Sequence, residues 1–262
     1  MAATFLIPIL LLFSLLTING GHPPLMASSK TLFFPNTSFL VLSSRVQSKA
    51  FWVPELGFLL PIFPRLKAQF SSVDAIFLLW RVLPRDFMFR NFTISVDNIK
   101  SGRIHTLLTS AFSHINMEHI GSNMLGLYFF GSSIGSVFGP EYLLKLYVAG
   151  AVVGSIFYLV HHAYLANSYE GTFRRDPSRT PGLGASGAVN AILLLDIFLF
   201  PRKTIMFDFF IPVPAILLGV FLVGKDVLRI LEGDQNISGS AHLGGAVVAA
   251  VAWLRVTRKL RF

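Results

Sequence analysis

The sequence predicts an all-α polytopic membrane protein, a bundle of six helices whose first member is weak or truncated. Of 262 residues, 53% are hydrophobic and only 13% charged, and the mean hydropathy is +0.64, too apolar for a soluble domain of this length. From residue 114 onward, five apolar stretches of helix length alternate with short and longer polar connections. Cysteine is absent, which excludes disulfides, thiolate zinc sites and cysteine nucleophiles. The net charge of +9 resides in loops and at the C-terminal end, where membrane topology accounts for it. No nucleic-acid partner is therefore expected.

Residues 1–50 read as a targeting segment and 51–262 as the membrane domain, with its core at 73–258. The apolar run 5–18 is short for a crossing and resembles a signal-peptide core. From Met26 the chain becomes serine-rich and basic, with no acid before Glu55, as organelle transit peptides do. The two readings compete. A mitochondrial inner membrane fits the second, with a plastid or secretory-pathway membrane as alternatives. Within 51–83, Pro54, Pro61 and Pro64 interrupt the early half, leaving 73–83 as a helix shorter than the ~20 residues a crossing needs. Residues 84–113 mix charge with Phe87, Met88, Phe89 and Phe92, and read as a long loop partly buried in the membrane interface. Helices are expected at 117–138, 142–165, 183–200, 205–224 and 240–256. Basic residues fall on both faces, including Arg174, Arg175, Lys225 and Arg229 in the longer loops, so orientation stays open.

His119, Ser186 and His242 each lie near the start of a helix, and these helices are two crossings apart. Segment order alone therefore places all three at one face and at similar depth. Gly184 and Gly187 strip side chains from both sides of Ser186, so a substrate or another backbone can approach its hydroxyl. Such small-residue runs also serve as packing faces between membrane helices. A serine hydroxyl needs a neighbouring base to attack a carbonyl, and His242 is the candidate, among small residues that let its helix approach. The oxyanion so formed must meet fixed donors. His119 and Asn123, one turn apart, are candidates together with the Ser186 backbone N–H. His114 is given a structural role. Asp196, ten residues beyond Ser186 and ~15 Å deeper on a helix, is expected to pair with Lys145 or Arg202 at the opposite surface. Asp208 is expected at that same surface, and neither acid belongs to a triad. No metal site is expected, since HExxH is absent and no carboxylate lies at ligand spacing within the helices.

Taken together, His114-x4-His119-x3-Asn123, Gly184-Ala185-Ser186-Gly187 and Ala241-His242-x2-Gly245-x3-Ala249 resemble the rhomboid intramembrane serine proteases. The phrases at 107–114 and 125–131 resemble the mitochondrial branch. The resemblance implies a six-helix rhomboid bundle and a Ser186–His242 dyad without a carboxylate or cofactor. It implies His119, Asn123 and Gly184 as oxyanion and substrate-binding residues. Substrates would be lipid-embedded proteins whose single transmembrane helix unwinds near small or helix-breaking residues. This chain has His105-Thr106 where many members carry Trp-Arg, and Asn190 where many have a tyrosine four residues after the serine. A catalytically weak or inactive member that binds transmembrane helices for quality control is the alternative. A transporter would require a midplane site and internal repeats, whereas the polar cluster here lies near one surface.

Overall fold

The computed structural model describes residues 16–18, 67–167, 176–207, 211–232 and 238–259. The remainder of the targeting segment 1–50, together with Arg174, Arg175 and Asp208, lies outside the described residues. The order is β1 (Leu16–Ile18), α1 (Lys67–Val82), α2 (Arg85–Phe92), α3 (Val96–Lys100), α4 (Thr106–Thr109), α5 (Met117–Phe138) and α6 (Pro140–Asn167). Then follow α7 (Ser186–Leu199), β2 (Thr204–Phe207), β3 (Ile211–Pro214), α8 (Ala215–Glu232) and α9 (Gly239–Lys259). Among the described residues, two helices, Pro140–Asn167 and Gly239–Arg258, are long and apolar enough to cross a membrane; Ser186–Leu199 is a shorter apolar one.

Four of the expected helices, at 117–138, 142–165, 183–200 and 240–256, lie where the pattern puts them, within a few residues. Gly139, at φ +85°, is the single residue between α5 and α6. Glycine tolerates that backbone angle, and Pro140 suits the first helical position because its missing N–H would have no partner there.

The expectation of an all-α chain is corrected in one region. Residues 205–214, read as the start of a helix, form most of the antiparallel pair β2–β3, and β1 pairs with the free edge of β2. Pro212 and Pro214 lack the N–H that a helix interior requires, so the helix cannot begin until Ala215. That shift carries Lys225 and Arg229 out of the expected loop and into α8. The segment 84–113 is likewise no open loop. Three short helices and a 3-10 turn at Ser110–Phe112 fold it into a cap. α1 begins at Lys67, earlier than expected, and Trp80 Nε1 donates to Ser113 Oγ at 2.8 Å, bracing that cap.

In the centre, α7 packs between α5, α6 and α9. Its buried face, Ile192, Leu194, Leu195 and Ile197, meets Leu127, Phe130 and Ile134 of α5 and Leu143 of α6 in one core. α6, α7 and α9 approach through small residues. A Cβ on Gly150 would meet Ala188 Cα at 2.8 Å, and one on Gly244 would meet Gly154 Cα at 2.7 Å. A Cβ on Gly187 would lie 3.2 Å from the Ala241 carbonyl oxygen. In a bilayer, where lipid is as apolar as leucine, this backbone proximity supplies the van der Waals contact that holds helices together.

At the far end of α7, Asp196 is fully buried and accepts from Ser133 Oγ at 2.5 Å and Lys203 Nζ at 3.2 Å. The expected partners are corrected: Lys145 pairs with Glu141 one turn away, and the residue after Arg202 makes the bond. Removing one member of a buried pair leaves an uncompensated charge. Lys203→Met should cost about 3 kcal/mol and Arg202→Met little, which thermal unfolding of the detergent-solubilised protein would measure.

Candidate active site

Ser186 is the first residue of α7, preceded by Pro181, Gly182 and Gly184, residues that disfavour helix. At a helix start the first N–H groups have no intrahelical acceptor, so those of Ser186 and Gly187 find none within α7. The approach to the serine is fixed by bonds from outside its helix. Ile94 and Gly182 exchange two backbone hydrogen bonds, at 2.8 and 2.7 Å. Gly184 N–H donates to the Ser110 carbonyl at 2.9 Å, and Ala185 N–H to His114 Nε2 at 3.2 Å. From α6, Tyr158 Oη donates to the Thr180 carbonyl at 3.0 Å, while Tyr147 Oη and Ser155 Oγ donate to Ala111 and Leu107 in the cap, each at 2.9 Å. Cap and serine segment are thus one hydrogen-bonded body.

His119, third residue of α5, lies against Gly184. The glycine has φ +120°, and a Cβ there would sit 2.6 Å from His119 Nε2. Any side chain would displace the imidazole, which gives this glycine both a backbone and a steric reason. The His119 ring meets His114 edge-on, with centroids 4.9 Å apart, and is near enough to His242 to interact electrostatically. Asn123, buried one turn along, donates through Nδ2 to the His119 carbonyl at 2.9 Å and lies 3.2 Å from His114 Nε2. One of its amide hydrogens is thus committed to the His119 carbonyl. His114 is fully buried, and that burial, with the neighbouring His119 ring, pushes its pKa down to about 3 against a small opposing pull from the Phe112 carbonyl. A neutral ring can accept at Nε2, as the bond from Ala185 requires.

His242 lies in the first turn of α9, opposite the start of α7. Gly187 abuts the Ala241 carbonyl, a Cβ on Gly245 would stand 3.1 Å from Ala191 N, and Asn190 Nδ2 donates to the His242 carbonyl at 2.8 Å. The serine and histidine backbones are therefore neighbours across a glycine-lined contact. Asn190, noted in the sequence only as a departure from tyrosine, is part of that joint. Gly184, His119 and Asn123 adjoin one another, and the helix starts that carry Ser186 and His242 are neighbours. His161 and His162 lie elsewhere, the latter stacked on Tyr158 at 3.9 Å, and among the described residues no three His, Asp or Glu side chains cluster as a metal site would. The sequence reading missed Asp226, whose Oδ1 is 2.8 Å from His242 Nδ1. Its position in an expected loop, sixteen residues before the histidine, gave no sign of that contact.

Residues 101–258 match the family model of the rhomboid domain. The chain is 68% identical over 190 residues to RHOMBOID-like protein 12, mitochondrial, of Arabidopsis thaliana, covering 71% of this chain and 56% of that protein. It is 45% identical over 196 residues to Rhomboid-like protein 16, chloroplastic, of the same plant, covering 72% and 60%. With Rhomboid protein 1, mitochondrial, of Saccharomyces cerevisiae it shares 31% identity over 180 residues, covering 68% and 49%. The chain thus spans about half to three fifths of the length of these curated relatives.

His114 has a thermodynamic signature. Its folded pKa of about 3 lies below the ordinary 6.5, so between those values the unfolded chain binds the extra proton. This contribution to stability is complete above pH 6.5 and is lost as pH falls, by about 1.4 kcal/mol per unit. Denaturation of the wild type across that window should show the loss, and His114→Gln should lack this component.

Proposed function

Because the chain belongs to the rhomboid family, whose members are typically intramembrane serine proteases, we propose that it is a serine endopeptidase. In this reading it cuts the transmembrane segments of membrane proteins, with Ser186 as nucleophile and His242 as its base. The observation that carries the proposal is the joint between α7 and α9: a serine at a helix start, beside a histidine whose helix meets the next residue, Gly187, with no side chain between them. Of the three relatives described above, two are named as mitochondrial and one as chloroplastic; the mitochondrial names, together with the two long apolar helices, support a multi-pass protein of a mitochondrial membrane. The six-helix rhomboid bundle is proposed on the same ground, with α1, α5, α6, α7, α8 and α9 as its members.

In the proposed reaction, His242 Nε2 takes the Ser186 proton as Oγ attacks the scissile carbonyl. The carbonyl oxygen becomes an oxyanion, and its negative charge meets the free N–H groups at the start of α7 and the His119 ring beside Gly184. Asn123 stands behind His119 and joins them by exchanging its bond to His114. Gly184 offers no side chain to obstruct the substrate strand. Collapse of the tetrahedral species then expels the amine, which takes its proton from His242, and water releases the acyl group by the reverse path. The site lies at helix ends near one surface, where water can reach it. A substrate helix must locally unwind to present its peptide bond, because a helical carbonyl is already hydrogen-bonded within its own segment. Slow cleavage near a membrane boundary is the consequence.

A fluorophosphonate probe should label the wild type and not Ser186→Ala. Cleavage of a co-reconstituted single-span membrane protein should fall at least about a thousandfold in Ser186→Ala and in His242→Ala. Undiminished cleavage by the serine variant would sink the proposal. A wild type that captures the substrate helix without cutting it or taking the probe would identify a helix-binding, non-hydrolytic member.

A further inference from the structure

Asp226 is an acidic residue buried near the end of α8, with 5% of its side chain exposed. A buried carboxylate is costly without partners, and this one has two on the same oxygen: His242 Nδ1 at 2.8 Å and Arg229 Nη1 at 3.2 Å. Its backbone is fixed as well. A Cβ on Gly239, the first residue of α9, would stand 3.2 Å from the Asp226 carbonyl carbon and 3.3 Å from Ile230 Cγ1, so the two helix ends meet without a spacer. On the far side of the histidine, Asn190 holds the His242 carbonyl. His242 is thus secured from both flanks, at its ring by α8 and at its backbone by α7.

A neutral imidazole carries one N–H, and an ionised carboxylate only accepts. The proton of His242 therefore belongs on Nδ1, leaving Nε2 as the basic atom. We propose that Asp226 is a positioning residue that fixes the tautomer and ring orientation of His242, completing an arrangement of serine, histidine and carboxylate across α7, α9 and α8. The inference rests on the protease reading above and replaces the dyad without a carboxylate that the resemblance implies. A side chain at 226 that merely tied α8 to α9 could serve equally well as donor or acceptor. One that selects the tautomer must accept.

The test uses the full chain in proteoliposomes with Asp226→Asn, Asp226→Glu and Asp226→Ala. Asparagine keeps the shape but can present N–H to Nδ1, driving the proton to Nε2. Fluorophosphonate labelling and kcat should then drop at least about a hundredfold, with KM nearly unchanged and partial recovery in Asp226→Glu. The 15N spectrum of histidine-labelled protein reports the tautomer directly, its His242 signal assigned by loss in His242→Gln. Wild type should show Nδ1–H and Asp226→Asn Nε2–H. Wild-type rates in Asp226→Asn, or an Nε2–H wild-type ring, overturn the assignment, and the latter holds even if the variants fail to fold. If the wild type neither labels nor cleaves, the protease reading falls, and the wild-type spectrum still decides whether Asp226 sets the tautomer.

Discussion

Three helix backbones in contact, those of α6, α7 and α9, are the constraint on which the rest of the molecule depends. Wherever two of them cross, the side chain in the way has been reduced to hydrogen or methyl: Gly150 against Ala188, Gly154 and Gly187 against Ala241, Gly244 against Gly154. Larger residues would hold the helix axes apart and move the start of α7, where Ser186 lies, away from the first turn of α9, where His242 lies. The glycines cost some helix propensity, about 1 kcal/mol each relative to alanine. Close packing offsets that in a bilayer, where burial of apolar surface between helices contributes little.

Around this junction the polar bonds are distributed unevenly. Near the serine they run between distant parts of the chain: Ile94 to Gly182, Ser110 to Gly184, His114 to Ala185, Tyr158 to Thr180. At the opposite rim one buried cluster, Ser133, Asp196 and Lys203, anchors the other end of α7. The helix that begins with the serine is therefore fixed at both ends by polar contacts and along its length by packing. Such fixation suits a site whose donors must be aimed before charge develops.

Much of this was legible in the sequence, for identifiable reasons. The break at Gly139-Pro140-Glu141 between two apolar runs marked a helix limit, because glycine and proline act through backbone geometry that does not depend on tertiary context. Counting crossings led to the expectation that His119, Ser186 and His242 share one face. What could not be read depended on details that hydropathy does not encode. An apolar strand and an apolar helix have the same composition, and only Pro212 and Pro214 distinguished 205–214. The error moved α8 by some ten residues and with it Asp226, which lay in an expected loop and so escaped consideration. Lys203 rather than Arg202 binds Asp196, because the geometry at the end of α7 decides which neighbour points inward. The cap at 84–113 was hidden for a similar reason: its short helices are held by bonds to α6 and to the segment that leads into α7, and have little periodicity of their own.

The Ile94–Gly182 bridge acts as a ruler. Its paired hydrogen bonds set a zero point, and only Leu183, Gly184 and Ala185 separate that mark from the hydroxyl. Each of the last two is itself tied, to Ser110 and to His114. No slack exists in which an added or deleted residue could be absorbed. The spacing is counted in whole residues, and a change of one would rotate Ser186 about 100° around the axis of its helix, so the chain length between these points fixes which way that side chain faces.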